Sequence, residues 1–374
     1  MEEHHFMKFY LRYCCATLFA LISFLLAPPQ RAQAQTREAY VSRSANGSTL
    51  TFYYDDQRAT RTGTTWGIEE TKKELGDSFP AWAGTFNESD RATGRVVFDA
   101  SFRDFRPTTT ARWFHNYRAL QQIEGLENLN TSEVKDMSRM FFGCSELTTP
   151  DVSHFNTQNV TNMMGMFSAC TGLTSLDVSH FNTQNVTNMR DMFCACWRLT
   201  SLDVSNFNTQ KVTNMSQMFF GCSGLTSLDV SHFDTQNVTS MGGMFAGCSG
   251  LTSLDVMNFN TQNVTEMYSM FNGCSALTTI NSNTAWQCPE SNDMFADCWQ
   301  LTGAVAYDEN KTDATMANPE TGYFTAKSTK VESVRFGADG AQHIYTLQGK
   351  RVRGAWKHLP AGVYVVNGKK TVKP

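Results

Sequence analysis

The sequence predicts an α/β solenoid of about seven coils, each a short parallel strand followed by a short helix. A β-rich cap precedes the coils and a small β-unit follows them. Three observations predict it. "MFAGCSGLTSLDV" at 244–256 recurs with small changes from Phe141 to Asp255, so that Cys144, Cys170, Cys196, Cys222, Cys248 and Cys274 fall 26 residues apart, with Cys298 after a shortened interval. The apolar spacing changes character inside each copy. No single copy carries enough apolar material to offset the ordering of its own backbone, so neighbouring copies must cover both its flanks.

The N-terminus comes first. Lys8 and Arg12 precede an apolar run from Tyr13 to Ala27, and "AQA" at 32–34 offers small residues for cleavage before Gln35. Residues 1–34 are therefore expected to be an export signal, with translation starting at Met7. The mature chain is then extracytoplasmic, secreted or on a bacterial cell surface. No later run reaches the roughly 20 apolar residues that span a bilayer, so no transmembrane segment is expected in it. Of the 11 Cys, two (Cys14 and Cys15) lie inside the signal. An odd number remains, and not all of them pair within the chain.

Residues 35–119 fall outside the register. "STLTFYYDD" and "GRVVFDASF" alternate like strands, and Trp66, Trp82 and Trp113 supply apolar bulk. The segment is expected to cap the first coil; the rival assignment is a small binding domain with exposed tryptophans.

Residues 120–326 carry the repeat. "LTSLDVS" places Leu176 and Val178 on one face and Ser175, Asp177 and Ser179 on the other, which is strand alternation. Val186, Met189, Phe193 and Cys196 are spaced three, four and three apart, which predicts a helix. The columns Leu176, Leu202, Leu228 and Leu254, then Phe181, Phe207, Phe233 and Phe259, then Cys170, Cys196, Cys222 and Cys248 are assigned to the core. Six aligned thiols also raise the possibility of a reactive or metal-binding array, but equivalent positions in a ladder give parallel vectors and not a converging ligand set. No metal site is expected. Cys194 and Cys288 break the register, as an exposed thiol and a terminal staple.

Outward along the same strands runs Asp151, Asp177, Asp203, Asp229 and Asp255, flanked by Ser175, Ser201 and Ser227. Charges about 5 Å apart repel by about 0.8 kcal/mol per pair in water and about 3 at an effective dielectric near 20. The column needs water, donors or cations, and it is the candidate ligand-binding surface. No cofactor is expected; calcium is the one ion these carboxylates make a candidate. Asn182, Asn208 and Asn260, interrupted by Asp234, suggest a side-chain ladder. His154, His180 and His232 share a phase with Asn206 and Asn258, an exchange that favours hydrogen bonding over metal binding.

"LTSLDVSHFNTQNVTNMRDMF" at 173–193 and "MFFGCSGLTSLDVS" at 218–231 resemble the BspA-like leucine-rich-repeat surface proteins, in the branch with repeats of this length. The resemblance spans roughly 120–326, from a degenerate "IEGLENLNTSEVKDMSRMFFGC" to "GAVAYDENKTDATMANPETGYF". It implies a leucine-rich-repeat-like fold, display on a bacterial surface, and adhesion to host matrix proteins, host cells or other bacteria. Partners are then extracellular or cell-surface proteins or glycans. Residues 327–374 are basic and strand-like, and "IYTLQGKRV" with "LPAGVYVVNGKKTVK" resembles a type IX secretion sorting signal.

Composition narrows the rest. A formal net charge of -4 gives no basic footprint for nucleic acid. The alternatives to adhesion are a hydrolase with its catalytic segment in 35–119, or a purely structural surface component. That segment holds one His, His115, and neither an H-E-x-x-H nor a G-x-S-x-G motif, so no catalytic residue is assigned. Oligomeric state is left open by the sequence.

Overall fold

The computed structural model describes residues 36–327 and, of the tail, 344–346, 351–352, 359, 362–366 and 369–373. The expected export signal lies outside the described residues, as does much of the expected sorting signal.

The chain opens with β1 (Glu38–Arg43), β2 (Thr49–Asp55), β3 (Thr64–Gly67), the hairpin β4 (Thr71–Glu74) and β5 (Asp77–Pro80), β6 (Arg95–Phe98) and β7 (Gln122–Glu124). Five of these form one sheet in the order β3-β1-β2-β6-β7. Its β1 pairs are antiparallel, whereas β2, β6 and β7 run parallel. The sheet thus turns from hairpin pairing to the parallel stacking of the repeats within the N-terminal segment. Phe52, Phe98, Phe102, Trp113 and Phe114 pack together beneath it. One continuous core then runs from Val41 to Phe324.

No solenoid of seven strand-plus-helix coils forms, and the reason lies in the backbone. Among the described residues the helices are short 3-10 turns, at Arg58–Thr60, Ala100–Asp104, Leu126–Asn128 and Ala314–Met316. Where the three-four-three spacing predicts a helix, the chain makes consecutive tight turns. Met192, Cys194 and Cys196 donate their amides back to Met189, Asp191 and Phe193. The amides between them, of Met189, Asp191, Phe193 and Ala195, donate forward to Asn214, Ser216, Met218 and Phe220 of the next repeat, at 3.0, 2.9, 2.9 and 2.6 Å. An α-helix would have kept all of them. Two left-handed residues per repeat prevent that winding: Asp191 and Ala195 at φ 56° and 58°, and Gln217 and Gly221 at 56° and 69°. Apolar side chains still return to the core every three or four residues, which is why the sequence imitates a helix.

Strands within the repeats are also fewer than expected. Among the described residues hydrogen-bonded strands occur there only at β7, which joins the N-terminal sheet, and at β8 (Ser253–Asp255), β9 (Thr279–Asn281) and β10 (Phe324–Thr325), a parallel sheet in the order β8-β9-β10. Elsewhere single parallel bridges link Thr109, Asp136, Asn162, Asn188, Asn214, Ser240, Glu266 and Glu290 in series. The described residues of the tail form a separate sheet of β11 (Ile344–Thr346), β12 (Arg351–Val352), β13 (Gly362–Val366) and β14 (Lys369–Lys373), in the order β12-β11-β13-β14.

Side chains complete the stack. Phe114, Phe141, Phe167, Phe193, Phe219, Phe245, Phe271 and Phe295 form a column with ring centroids 5.4 to 6.0 Å apart. Leu176, Leu202, Leu228 and Leu254 and Phe181, Phe207, Phe233 and Phe259 are buried, as are Cys170, Cys196, Cys222 and Cys248. A further column escaped the sequence. The buried Thr209 hydroxyl donates to the Asp234 carbonyl at 2.9 Å and accepts the Asp234 amide at 2.8 Å, and Thr131, Thr157, Thr183 and Thr235 do the same one repeat apart.

His115 marks the junction of cap and repeats. Its ring stacks on Phe142 at 4.7 Å, and neither ring nitrogen has a hydrogen-bond partner. Burial, with Arg112 and Arg139 adding to it, pushes its pKa down to about 4. An unfolded chain takes up this proton near 6.5, so stability falls as the pH drops from about 6.5 to about 4 and is insensitive to His115 above that window.

Two predictions follow from this packing. Thr209→Val, equal in shape, leaves a backbone donor and acceptor unmatched and lowers the unfolding free energy by about 1–3 kcal/mol in urea titration. His115→Phe flattens the loss of urea midpoint between pH 7 and pH 5 relative to the parent chain.

Candidate functional site

The Asp and Ser positions converge on an open groove of about 620 Å³ over three successive repeats. Strand alternation builds it. Leu202, Leu228 and Leu254 turn inward and form its floor, while Ser201, Asp203, Ser227, Asp229, Ser253 and Asp255 line its walls. Asn281 and Lys327 close one end, and the Lys327 ammonium contacts the Asp255 carboxylate. Asp151 and Asp177 continue the row in the preceding repeats and stand exposed. Lys327 was invisible to sequence reasoning, since it lies outside the periodic segment and 72 residues from its partner.

Each carboxylate has a local task first. One oxygen of Asp151, Asp177, Asp203 and Asp229 accepts the amide of the serine two residues on, at 2.9–3.0 Å, and Asp255 does the same with Met257 at 3.1 Å. This is the turn geometry that aspartate and asparagine favour. The hydroxyl and amide of Ser153, Ser179, Ser205 and Ser231 hold the first four carboxyls below the usual range. For Asp229, His232 and Lys327 add to the effect. The donors are thus the serines after each Asp, while Ser175, Ser201 and Ser227 stay exposed. At Asp255 the second carboxylate oxygen takes the Lys327 ammonium, while Oδ1 holds the turn. Among the described residues no group of three or more His, Cys, Asp or Glu side chains converges as a metal cage.

The neighbouring columns are structural. Asn182 and Asp234 each offer one side-chain oxygen to the amide two residues on, at 3.1 and 3.0 Å, so an acid and an amide serve equally. The expected inter-repeat ladder of asparagines is instead made by the threonines. His180 and His232 bond the carbonyls of Val152 and Val204 at 2.7 and 2.9 Å through Nε2, and Asn206 does the same to Val178 through Nδ2 at 3.1 Å. An N–H that reaches the valine carbonyl can come from either residue type; Asn206 also donates to the Phe181 carbonyl at 2.7 Å, and Asn258 donates to the Ser231 carbonyl instead.

The thiol column is chemically quiet. Cys170, Cys196, Cys222 and Cys248 donate to the carbonyls of Phe141, Phe167, Phe193 and Phe219 at 3.1–3.2 Å. Burial pushes the Cys170 and Cys222 thiols up to about 12 and the other two upward as well, so none supplies a thiolate at neutral pH. Cys194 and Cys288 are free and half-buried. Cys288 is therefore not the expected staple.

A family model described as "Mycoplasma protein of unknown function, DUF285" matches residues 108–202 and 195–307. Comparison with curated proteins gives no match. Among solved structures, the chain is similar to a leucine-rich repeat protein from Bacteroides ovatus at 16% identity, covering 71% of this chain and 80% of that one, with a TM-score of 0.27. It is also similar to a leucine rich cell surface protein from Faecalibacterium prausnitzii at 16% identity, covering 68% of this chain and 89% of that one, with a TM-score of 0.18.

The capping geometry separates the two roles of the Asp column. Asp203→Asn and Asp229→Asn keep the acceptor and shift stability by less than about 0.5 kcal/mol, whereas Asp229→Ala loses the turn bond and about 1 kcal/mol; thermal and urea unfolding read the difference.

Proposed function

The chain belongs to the DUF285 family, whose model covers more than half of its 374 residues, and from that premise we propose that it is a secreted, surface-displayed repeat protein that binds extended segments of other proteins along the Asp and Ser groove. The observation that carries this reading is the seating of the chain's own Lys327 ammonium on Asp255 at the end of that groove. A lysine is accepted there by geometry already built, and Asp203 and Asp229 present the same wall one and two repeats away.

Shape supports the same reading. A groove open along its length, with a leucine floor and polar walls, suits a strand-like segment held by area and charge. The export signal expected at residues 1–34 and the sorting-signal resemblance of residues 327–374 support display at a bacterial surface. Host matrix proteins, host cells and other bacteria are the partner classes, as the BspA-like resemblance implies, and the role is adhesion. Calcium has a place only as a bridge between a second carboxylate oxygen and a partner.

The hydrolase alternative loses its best residue. His115 is fully buried among Phe79, Phe86 and Phe142, remains neutral at physiological pH, and touches neither groove wall. A base without access to substrate performs no general-base step.

The test is binding of the purified protein to immobilised extracellular-matrix proteins, with and without calcium, over rising salt. Expected is saturable binding that weakens as the screening length falls from about 10 Å at 0.1 M to about 3 Å at 1 M. The double variant Asp203→Asn with Asp229→Asn is expected to bind about tenfold more weakly, a change of about 1.4 kcal/mol. Undiminished binding by that variant would remove the groove as the site.

A further inference from the structure

The hairpin of β4 and β5 ends in a leucine that nothing among the described residues covers. Leu75 is 81% exposed. With Gly76 it forms a two-residue turn in which both residues are left-handed, at φ 51° and 88°, a conformation that asparagine or aspartate followed by glycine adopts most readily. A Cβ added at Gly76 would meet nothing within 4 Å, so the tip stands clear of the protein. A bulky apolar side chain thus sits in strained backbone and faces water, and the chain's own packing gives no reason for it.

The charges of the hairpin single out one more side chain. Burial alternates along β4, so Lys73 stands exposed on the outer face while Lys72 and Glu74 turn toward the cap. Lys72 lies 4.0 Å from Glu88, and the Glu74 carboxylate accepts the Phe86 amide and the Thr85 hydroxyl, each at 2.8 Å. Asp77 pairs with Arg112 at 2.9 Å. Of these four charged side chains, Lys73 alone has no ion pair or hydrogen bond among the described residues. The tip therefore offers one ammonium and one leucine, two residues apart on one strand.

The Asp and Ser groove is the chemical complement of that pair. Its floor is Leu202, Leu228 and Leu254, and its walls carry Asp203 and Asp229, which form no ion pair among the described residues. The hairpin contributes nothing to the groove of its own chain. Arg112 holds it to the cap by the Asp77 carboxylate and the Ser78 carbonyl, at 2.9 and 2.7 Å, and gives its own amide to Ser138 in the turn-rich half of the repeats. We propose that the groove receives the hairpin tip of a second copy of this chain, with Leu75 on the leucine floor and the Lys73 ammonium between Asp203 and Asp229. The inference rests on the groove reading for its receiving half. Each copy carries one tip and one groove on different surfaces, so the contact is head-to-tail and adds copies in series instead of closing at two. A contact made by one apolar and one charged side chain is small, which makes the association weak and sensitive to salt.

The experiment is sedimentation velocity of the full purified chain from about 1 to about 300 μM, at low salt and at about 1 M salt. Expected is a weight-average sedimentation coefficient that climbs with concentration at low salt and stays at the monomer value at high salt. Leu75→Asn with Lys73→Gln suits the left-handed turn and keeps the hairpin folded. That hairpin variant, and the groove variant Asp203→Asn with Asp229→Asn, are each expected to self-associate about tenfold more weakly than the parent. Mixed in equal amounts, the two variants are expected to form dimers and nothing larger, because each supplies the half that the other lacks. A parent that stays monomeric throughout, undiminished association of either variant alone, or a mixture that stays monomeric would each overturn the proposal. The groove reading is judged separately. The hairpin variant keeps its groove and is expected to bind matrix proteins at least as well as the parent, and failure of that reading would show as matrix binding indifferent to Asp203 and Asp229.

Discussion

The fold depends on one backbone constraint: every second amide in the turn-rich half of each repeat is spent on the repeat that follows. Met163, Gly165, Phe167 and Ala169 donate to Asn188, Arg190, Met192 and Cys194, and the pattern returns at Met189 and again at Met215. A residue in such a ladder cannot shift along the chain without breaking four bonds on each side. That fixes the interval and aligns the columns of Phe, Met and Cys that fill the interior. The cost is left-handed backbone at two positions per repeat, roughly 1–2 kcal/mol for each residue other than glycine. Glycine occupies Gly221, Gly247 and Gly273 in one of the two columns, and alanine Ala169 and Ala195, so the cost is only partly avoided.

Once the ladder sets the columns, each position selects atoms and not whole residues. Where one N–H must reach a valine carbonyl, His180 and Asn206 are interchangeable. Where one oxygen must cap an amide, Asn208 and Asp234 are. Where a hydroxyl must both donate and accept, Thr183, Thr209 and Thr235 admit no substitute of equal size. The threonine column, which admits one residue type, needs a donor and an acceptor on the same atom.

The same logic explains what was legible in the sequence. The interval, the inward set Leu176, Val178 and Phe181, and the outward Asp and Ser could be read from alternation and spacing, because burial follows periodicity directly. The helix could not be told apart from its substitute. A stripe at Val186, Met189, Phe193 and Cys196 is produced equally by a helix and by tight turns reset by Asp191 and Ala195 in left-handed backbone, and neither residue announces that conformation as glycine would. The continuous parallel sheet failed for a related reason: alternation shows which side chains are buried, but not whether neighbouring strands approach closely enough to pair. Lys327 and the seating of Tyr268 on Gly242 depend on contacts between segments for which periodicity offers no signal.

Residues that repeat in register serve the register, since a side chain required in every copy is required by what the copies share. Asp203 caps its turn as Asp151 does, and Cys222 packs as Cys170 does. Departures from the register carry the surface's individuality. Trp197 stands where the next three copies have Ser223, Ser249 and Ser275, Tyr268 where the three copies before it have Gly242, Ser216 and Arg190, and Lys327 follows the last strand. None of the three is needed by the ladder, and all three are partly or largely exposed. A repeat scaffold of this kind supplies long faces by symmetry, one of them lined with the carboxylates of Asp151 to Asp255. The chemistry of each face is decided by the few positions where the symmetry is broken.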